Sequence, residues 1–409
     1  MHELLMGVVV GTGGLLAGLT LLIAVNKAIR EGREALDRRR RTVLEPMIFR
    51  YVHDNGRQAV HDYLPKPPSR RDRRLVERIL LDAAHMVKGG ARERTTAAFE
   101  ALGSVRAAIH KLASGRWWKR ADAAERLGLM RSRAAVDPLV RAMNDPIAEV
   151  RIRAARALGI IRGSTSIRPL VEALADPSRW SAIRVAEILI SVGAEAVDEL
   201  MAAYPTLPHQ ARISALEVLG RIRGLTAADL MRRSLKDPHP DIRARAAHAL
   251  GLIGDPAFAG ELTETLTDSE WPVRAMAAKA LGRLGDRGAI GALCTALSDR
   301  QWWVRSNAGD ALLVLGEPGI EALVRMLEAD DIYARHQAVQ QLQRGRIIDR
   351  CVADLASPDV VRREAAVRFI ERITSLKRVD RLTQQAVEAT QEGVRDILNG
   401  ILKRRPEGA

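Results

Sequence analysis

The stretch Asp241-Ile-Arg-Ala-Arg-Ala-Ala-His-Ala-Leu-Gly251 decides the fold. It opens on an acidic residue, sets a small hydrophobe before an arginine, runs through alanines and closes on Leu-Gly. Alanine is the best helix former, so the segment reads as a helix. It is not alone. Glu149-Val-Arg-Ile-Arg-Ala-Ala-Arg-Ala-Leu-Gly159, Pro272-Val-Arg-Ala-Met-Ala-Ala-Lys-Ala-Leu-Gly282 and Trp303-Val-Arg-Ser-Asn-Ala-Gly-Asp-Ala-Leu-Leu313 follow the same pattern. The aligned arginines are Arg120, Arg151, Arg184, Arg212, Arg243, Arg274, Arg305, Arg335 and Arg362, spaced 31, 33, 28, 31, 31, 31, 30 and 27 residues apart. Such self-similarity over nine copies marks a repeat array.

Each unit holds two helical patterns, as over 273–284 and 289–297. The Leu-Gly, or a glycine near it, is expected to end the first helix. Asp-Pro at 145–146, 176–177 and 237–238 makes the turn between units. Neither helix could bury its apolar face alone, so the units must stack. Composition agrees. The 409 residues are 47% apolar but only 3% aromatic, which favours close-packed helices over strands. The expected fold is all-α: a right-handed α-solenoid of about nine helix pairs over 117–373. A degenerate helical cap over 69–116 precedes it, and a closing helix and tail over 374–409 end it.

In the regular copies an aspartate stands six residues before the arginine, as Asp237 before Arg243, Asp268 before Arg274 and Asp299 before Arg305. The aspartate can accept from helix N-terminal amides and the arginine can bridge units, giving a ladder down the array. The six tryptophans, Trp117, Trp118, Trp180, Trp271, Trp302 and Trp303, all precede a first helix. Trp118, Trp271, Trp302 and Trp303 stand two or three residues before the repeat arginine. They are the candidate partner-binding edge, since aromatics are favoured at interface centres.

Residues 4–25 carry no charge, and 22 residues of helix span about 33 Å, enough for a hydrocarbon core of about 30 Å. Positive charge follows rather than precedes this run. The expectation is a single-pass anchor over 1–26, with the N-terminus outside and the repeats in the cytoplasm. Gly7, Gly11, Gly14 and Gly18 share one helical face and suit close helix–helix association in lipid. Residues 27–68 read as a basic stem with a Pro-rich joint, broken by Pro65-Lys66-Pro67-Pro68. Within it a separate short helix is expected over 44–64. Lys27, Arg30, Arg38, Arg39, Arg40 and Arg41 can meet anionic headgroups.

The net charge of +14 is concentrated in this early region. Residues 27–120 hold 23 basic and 11 acidic side chains, whereas the last 289 residues hold 41 and 38. A nucleic-acid footprint should lie on the binding domain, so the near-neutral repeats argue against nucleic acid as the partner. Catalytic motifs are missing: no Gly-x-x-x-x-Gly-Lys-Ser/Thr, no His-Glu-x-x-His, no Gly-x-Ser-x-Gly. Two cysteines, Cys294 and Cys351, cannot build a Cys-based zinc site. The expectation is no enzyme, no catalytic residue, no cofactor and no metal.

On these residues the chain resembles the HEAT-like repeat family in its short PBS-lyase-type form, over roughly 117–373. The layout of anchor, basic stem, Arg-Trp-Trp-x-Arg opening at 116–120 and repeats is similar to bacterial membrane-anchored HEAT proteins. That resemblance implies a scaffold or adaptor at the bacterial inner membrane. It also implies a protein partner such as a membrane glycosyltransferase of envelope polysaccharide synthesis. The other readings are an adaptor for a different membrane or signalling complex, or a HEAT-fold lyase or hydroxylase. HEAT-fold deoxyhypusine hydroxylases hold iron with several His-Glu pairs, and this chain has only His2-Glu3.

Overall fold

The structure, a computed structural model, describes residues 2–54, 59–64, 69–177, 180–374 and 396–400, with side chains from residue 19 onward except at 372–374. Every regular element among them is helical. The chain divides into two compact units, residues 1–170 and 171–409. The division falls inside the repeat array rather than at its start.

The first unit opens with α1 (His2–His53), α2 (Arg70–Ala84), α3 (Gly90–Ala101) and α4 (Ser104–Lys111). The array begins with α5 (Trp117–Met130), α6 (Val136–Ala142) and α7 (Ala148–Ile161). Then comes α8 (Ser164–Ala173), across the division. The second unit continues with α9 (Ala182–Val192), α10 (Val197–Ala203), α11 (His209–Ile222) and α12 (Ala228–Ser234). Next are α13 (Pro240–Ile253), α14 (Ala259–Thr265), α15 (Trp271–Leu284) and α16 (Ile290–Ala296). It ends with α17 (Trp302–Val314), α18 (Glu317–Met326), α19 (Ile332–Arg344), α20 (Ile347–Asp354) and α21 (Val360–Thr374). The odd-numbered helices from α5 to α21 are the first helices of the repeats, nine among the described residues.

Two expectations about the stem change. Residues 44–64 do not form a helix of their own: α1 runs unbroken to His53, and only Val60–Tyr63 adds a 3₁₀ turn. Nor does this region stand apart from the cap. Leu44, Ile48, Tyr51 and Val52 are buried where α1 packs on α2 and α3. Arg40 chelates Asp72 at 2.8 and 3.1 Å, and Asp72 also closes a capping box with Ser69. The Arg40 guanidinium and the Ser69 bonds outweigh burial and hold the Asp72 carboxyl down at about 2. The Pro65–Pro68 joint and most of the closing helix lie outside the described residues.

Among the described residues, no helix is long and apolar enough to cross a membrane. Most of the uncharged run over 4–25 lies outside the residues whose side chains are described, as do the surroundings of Gly7, Gly11, Gly14 and Gly18.

The Leu-Gly glycines do not end their helices. Gly251 and Gly282 sit buried inside α13 and α15. A Cβ on Gly251 would come within 2.7 Å of the Ala280 Cα, and one on Gly282 within 2.8 Å of the Ala311 Cα. They are the points where successive first helices touch backbone to backbone. Termination falls three residues later, at Gly254 (φ +79°) and Gly285 (φ +72°), both left-handed. Around these contacts the core is dominated by alanine, leucine and valine. In α15 the buried set is Val273, Ala275, Ala277, Ala278, Ala280, Leu281, Gly282 and Leu284. Small side chains on the contacting faces suit the close approach the glycines impose.

Candidate protein-binding edge

The first turns of most first helices share one arrangement, clearest in α15. In α15 the third helical residue, Val273, is buried, and the fourth, Arg274, lies along the turn. Arg274 Nη1 donates to the carbonyls of Asp268 and Ser269 at 2.8 and 3.0 Å. Its Nε and Nη2 reach forward to the Asp299 carboxylate of the next repeat at 2.6 and 3.0 Å. Arg243 does the same with Asp268, both at 2.8 Å. Arg212 reaches Asp237 through one bond of 3.3 Å. In the first unit Arg120 binds Asp145 at 2.6 and 2.9 Å. Each aspartate also accepts the amide two residues on, as Gln301 N donates to Asp299 at 2.8 Å.

For Arg243 and Arg274 the ladder therefore connects the arginine to the aspartate 25 residues later, not to the one six residues earlier, whose carbonyl it takes instead. Burial alone would raise the Asp268 and Asp299 pKa values. Their arginines and the backbone amides outweigh burial, and the net shift is down. For Asp145 the Arg120 bond leads and the result is the same.

Two departures refine the pattern. In α21 the ladder position is Arg363, not Arg362: Arg363 Nη1 donates to the Ser357 carbonyl at 3.0 Å. Arg305 keeps its bonds to the Asp299 and Arg300 carbonyls, at 2.8 and 3.1 Å, but its guanidinium lies 4.9 Å over the Tyr333 ring.

The same geometry turns the first two residues of each helix outward. Trp271 begins α15, and Trp302 and Trp303 begin α17; these three side chains are exposed. Trp302 and Trp303 meet edge to face at 4.8 Å. Trp117 and Trp118 are exposed at the start of α5, in the first unit, with Arg116 5.7 Å over the Trp118 ring. Trp180 differs from all of these: it is buried. The tryptophan reading covers only part of the edge. Ile332 and Tyr333 open α19, Val360 and Val361 open α21, and all four are exposed. The signal that finds them is position, the two residues that open a first helix, rather than residue type. In the second unit, four successive first helices thus present apolar side chains from their opening turns. The two before them do not: α11 opens on His209 and α13 on Pro240-Asp241, with His209 Nε2 3.0 Å from the Asp241 carboxylate.

Among the described residues, no comparable arrangement of reactive groups appears. Burial raises the Cys294 thiol, and pushes Cys351 up to about 11, so neither is an activated nucleophile. Among the described residues, no group of three or more His, Cys, Asp or Glu could hold a metal ion. Of the basic stem side chains, Arg40 and Arg41 are engaged by Asp72, Glu45 and Asp82. Lys27 and Arg30 pair along the helix with Glu31 and Glu34. Arg38 and Arg39 are exposed.

The profile of HEAT repeats matches residues 105–191, 197–268 and 259–343, more than half of the chain. No curated protein matches. Solved structures with similar folds include the karyopherin Kap121p bound to the extreme C-terminus of the phosphatase Cdc14p, at 13% identity and a TM-score of 0.44. That match covers 88% of this chain and 49% of the karyopherin, so the chain spans about half its length. The CpcE–CpcF complex of phycocyanin lyase from Nostoc sp. PCC7120 matches at 24% identity, TM-score 0.28, over 59% of this chain and 94% of that one. Human deoxyhypusine hydroxylase matches at 20% identity, TM-score 0.27, over 67% and 97%.

Proposed function

The chain belongs to the HEAT repeat family, and from that premise we propose that it is a non-catalytic, protein-binding scaffold held at a membrane. Stacked repeats of this kind offer long surfaces to partners. The observation that carries the reading is the exposed apolar row on the opening turns of α15, α17, α19 and α21. A cluster of exposed aromatic and aliphatic side chains edged by charge is what a binding surface needs. Glu270, Arg300, Asp330 and Asp359, all exposed, supply that rim.

The tether belongs to the same proposal. The uncharged run over 4–25 is long enough to span, and Lys27, Arg30 and Arg33 follow it, which directs the repeats to the cytoplasm of a bacterial cell. The partner would then be a membrane protein or one bound to it, and a glycosyltransferase of envelope polysaccharide synthesis is the expected one.

Capture of the full-length chain in mild detergent after cross-linking in cells tests both parts. A partner recovered with the wild type should be lost from the Trp302→Ala, Trp303→Ala double variant while helical circular dichroism is unchanged. Equal recovery sinks the edge. Alkaline carbonate extraction of membranes reads the tether: release into the supernatant sinks it.

A further inference from the structure

We infer that α1 pairs in parallel with α1 of a second copy of this chain, through a heptad seam on the face that the first unit leaves uncovered. The inference rests on the membrane tether proposed above, which would set two copies side by side and pointing the same way.

The seam is written in the spacing. Leu22, Val25, Ile29, Leu36 and Val43 recur at alternating steps of three and four, with Gly32 and Arg39 filling the two remaining places. That is the 3.5-residue repeat of a coiled coil. In the sequence the same register runs back without a slip through Gly18, Leu15, Gly11, Val8 and Leu4. The five apolar residues from Leu22 to Val43 are between 46% and 57% exposed. The stripe that packs on α2 and α3, formed by Leu44, Ile48, Tyr51 and Val52, is a different one and is buried. So α1 has two apolar stripes and only one is covered.

Lipid cannot cover the outer half of the seam. Helix α1 is uninterrupted, so at 1.5 Å per residue Leu36 stands about 16 Å and Val43 about 27 Å beyond Val25. The headgroup layer is only about 5–8 Å deep on each side. Pro46, where a kink would be expected, comes after Val43.

Charge is sorted to suit a second copy. Lys27, Arg30, Glu31, Glu34, Asp37, Arg38 and Arg41 all fall at outer heptad positions, and Lys27–Glu31 and Arg30–Glu34 pair along the helix. One flank of the seam carries Ala28, Ala35 and Thr42, the other Arg33 and Arg40. In a parallel pair the two unlike flanks meet, so the arginine flank, whose Arg40 is already neutralised by Asp72, lies beside small neutral side chains and no like charges are opposed between the flanks. Arg39 is the one charged place within the seam, a cost in stability that fixes register.

Area explains why the tether is needed. Residues 22–43 make about 33 Å of helix, and a stripe about 10 Å wide on it gives roughly 330 Å² per partner, against roughly 800 Å² for a stable interface. Confinement in one membrane raises the effective concentration that makes up the difference.

The test uses the full-length chain in native membranes with one cysteine added at a time. Ile29→Cys and Leu36→Cys, in the seam, are compared with Arg30→Cys and Arg38→Cys, outside it; the wild type, with Cys294 and Cys351, sets the background. Mild oxidation should give dimer bands several-fold stronger at positions 29 and 36 than at 30 and 38. Adding Leu36→Glu to Ile29→Cys should return the band to background, and adding Arg39→Leu should strengthen it. Equal bands at all four sites, background at all four, or a cross-link to a different protein overturns the pairing. Carbonate extraction of the same membranes separates the two ideas. A retained chain without the 29/36 pattern sinks the seam alone, and a released chain that keeps the pattern sinks the tether alone.

Discussion

Arg243 and Arg274 each grip the carboxylate of the following repeat, whereas Arg305, at the same helical position, stacks on Tyr333. The bonds back to the turn carbonyls are the same in all three. What changes is the next turn. Arg335 follows Arg305 by 30 residues instead of 31, and Asp331 caps α19 directly by accepting from Ala334 N at 2.7 Å. Asp330, at the ladder's usual position, is exposed instead. The comparison separates two jobs of one side chain. In these three, holding its own turn is common to all and joining two repeats is not. The row of apolar opening turns runs through this change, from α15 to α21.

The largest effect should come from the intact rung. Arg274→Ala removes one partner of a pair whose side chains are 16% and 12% exposed, stranding Asp299. Loss of one member of such a pair costs about 3–5 kcal/mol. Denaturant unfolding should show that fall, and Arg305→Ala should show clearly less. Equal losses would break the comparison. Next is the backbone contact beneath the ladder. Gly251→Val forces methyls into the Ala280 backbone and should cost about 1–3 kcal/mol, read as a lower midpoint at unchanged slope.

Acid sharpens the contrast. The lowered folded pKa of Asp299 means its pair stabilises the protein fully above the unfolded aspartate value, and that stability is lost as pH falls through the folded value. Arg274→Ala should therefore flatten the acid limb of stability against pH. Glu217 is the second source of that limb. The His248 ring and Arg245 hold its carboxyl at about 2 against a usual 4.5, in spite of burial, so Glu217→Gln should remove pH dependence between those values. The smallest effect belongs to Tyr333→Leu, which gives up only the Arg305 stacking, about 0.5–1 kcal/mol.

Much of this was legible in the residues. The 31-residue arginine spacing, the alanine-rich helices and the aspartate turns need only local preferences to be read. The edge was half legible. Tryptophans announce themselves by type, but Ile332, Tyr333, Val360 and Val361 look like core residues until the helix start places them outside. Trp180 looks like an edge residue and is buried.

By itself the sequence determined the period, the two helices per repeat and the arginine at the head of each first helix, because these follow from propensity and turn chemistry within a few residues. Only the tertiary structure decided that Gly251 and Gly282 are contact points and not helix ends, since a missing Cβ has meaning only against the neighbour it admits. It also decided that Arg274 answers Asp299 rather than Asp268's carboxylate, and that Arg363 takes the place expected of Arg362. A guanidinium chooses among carboxylates by distance, and distance between repeats is set by stacking.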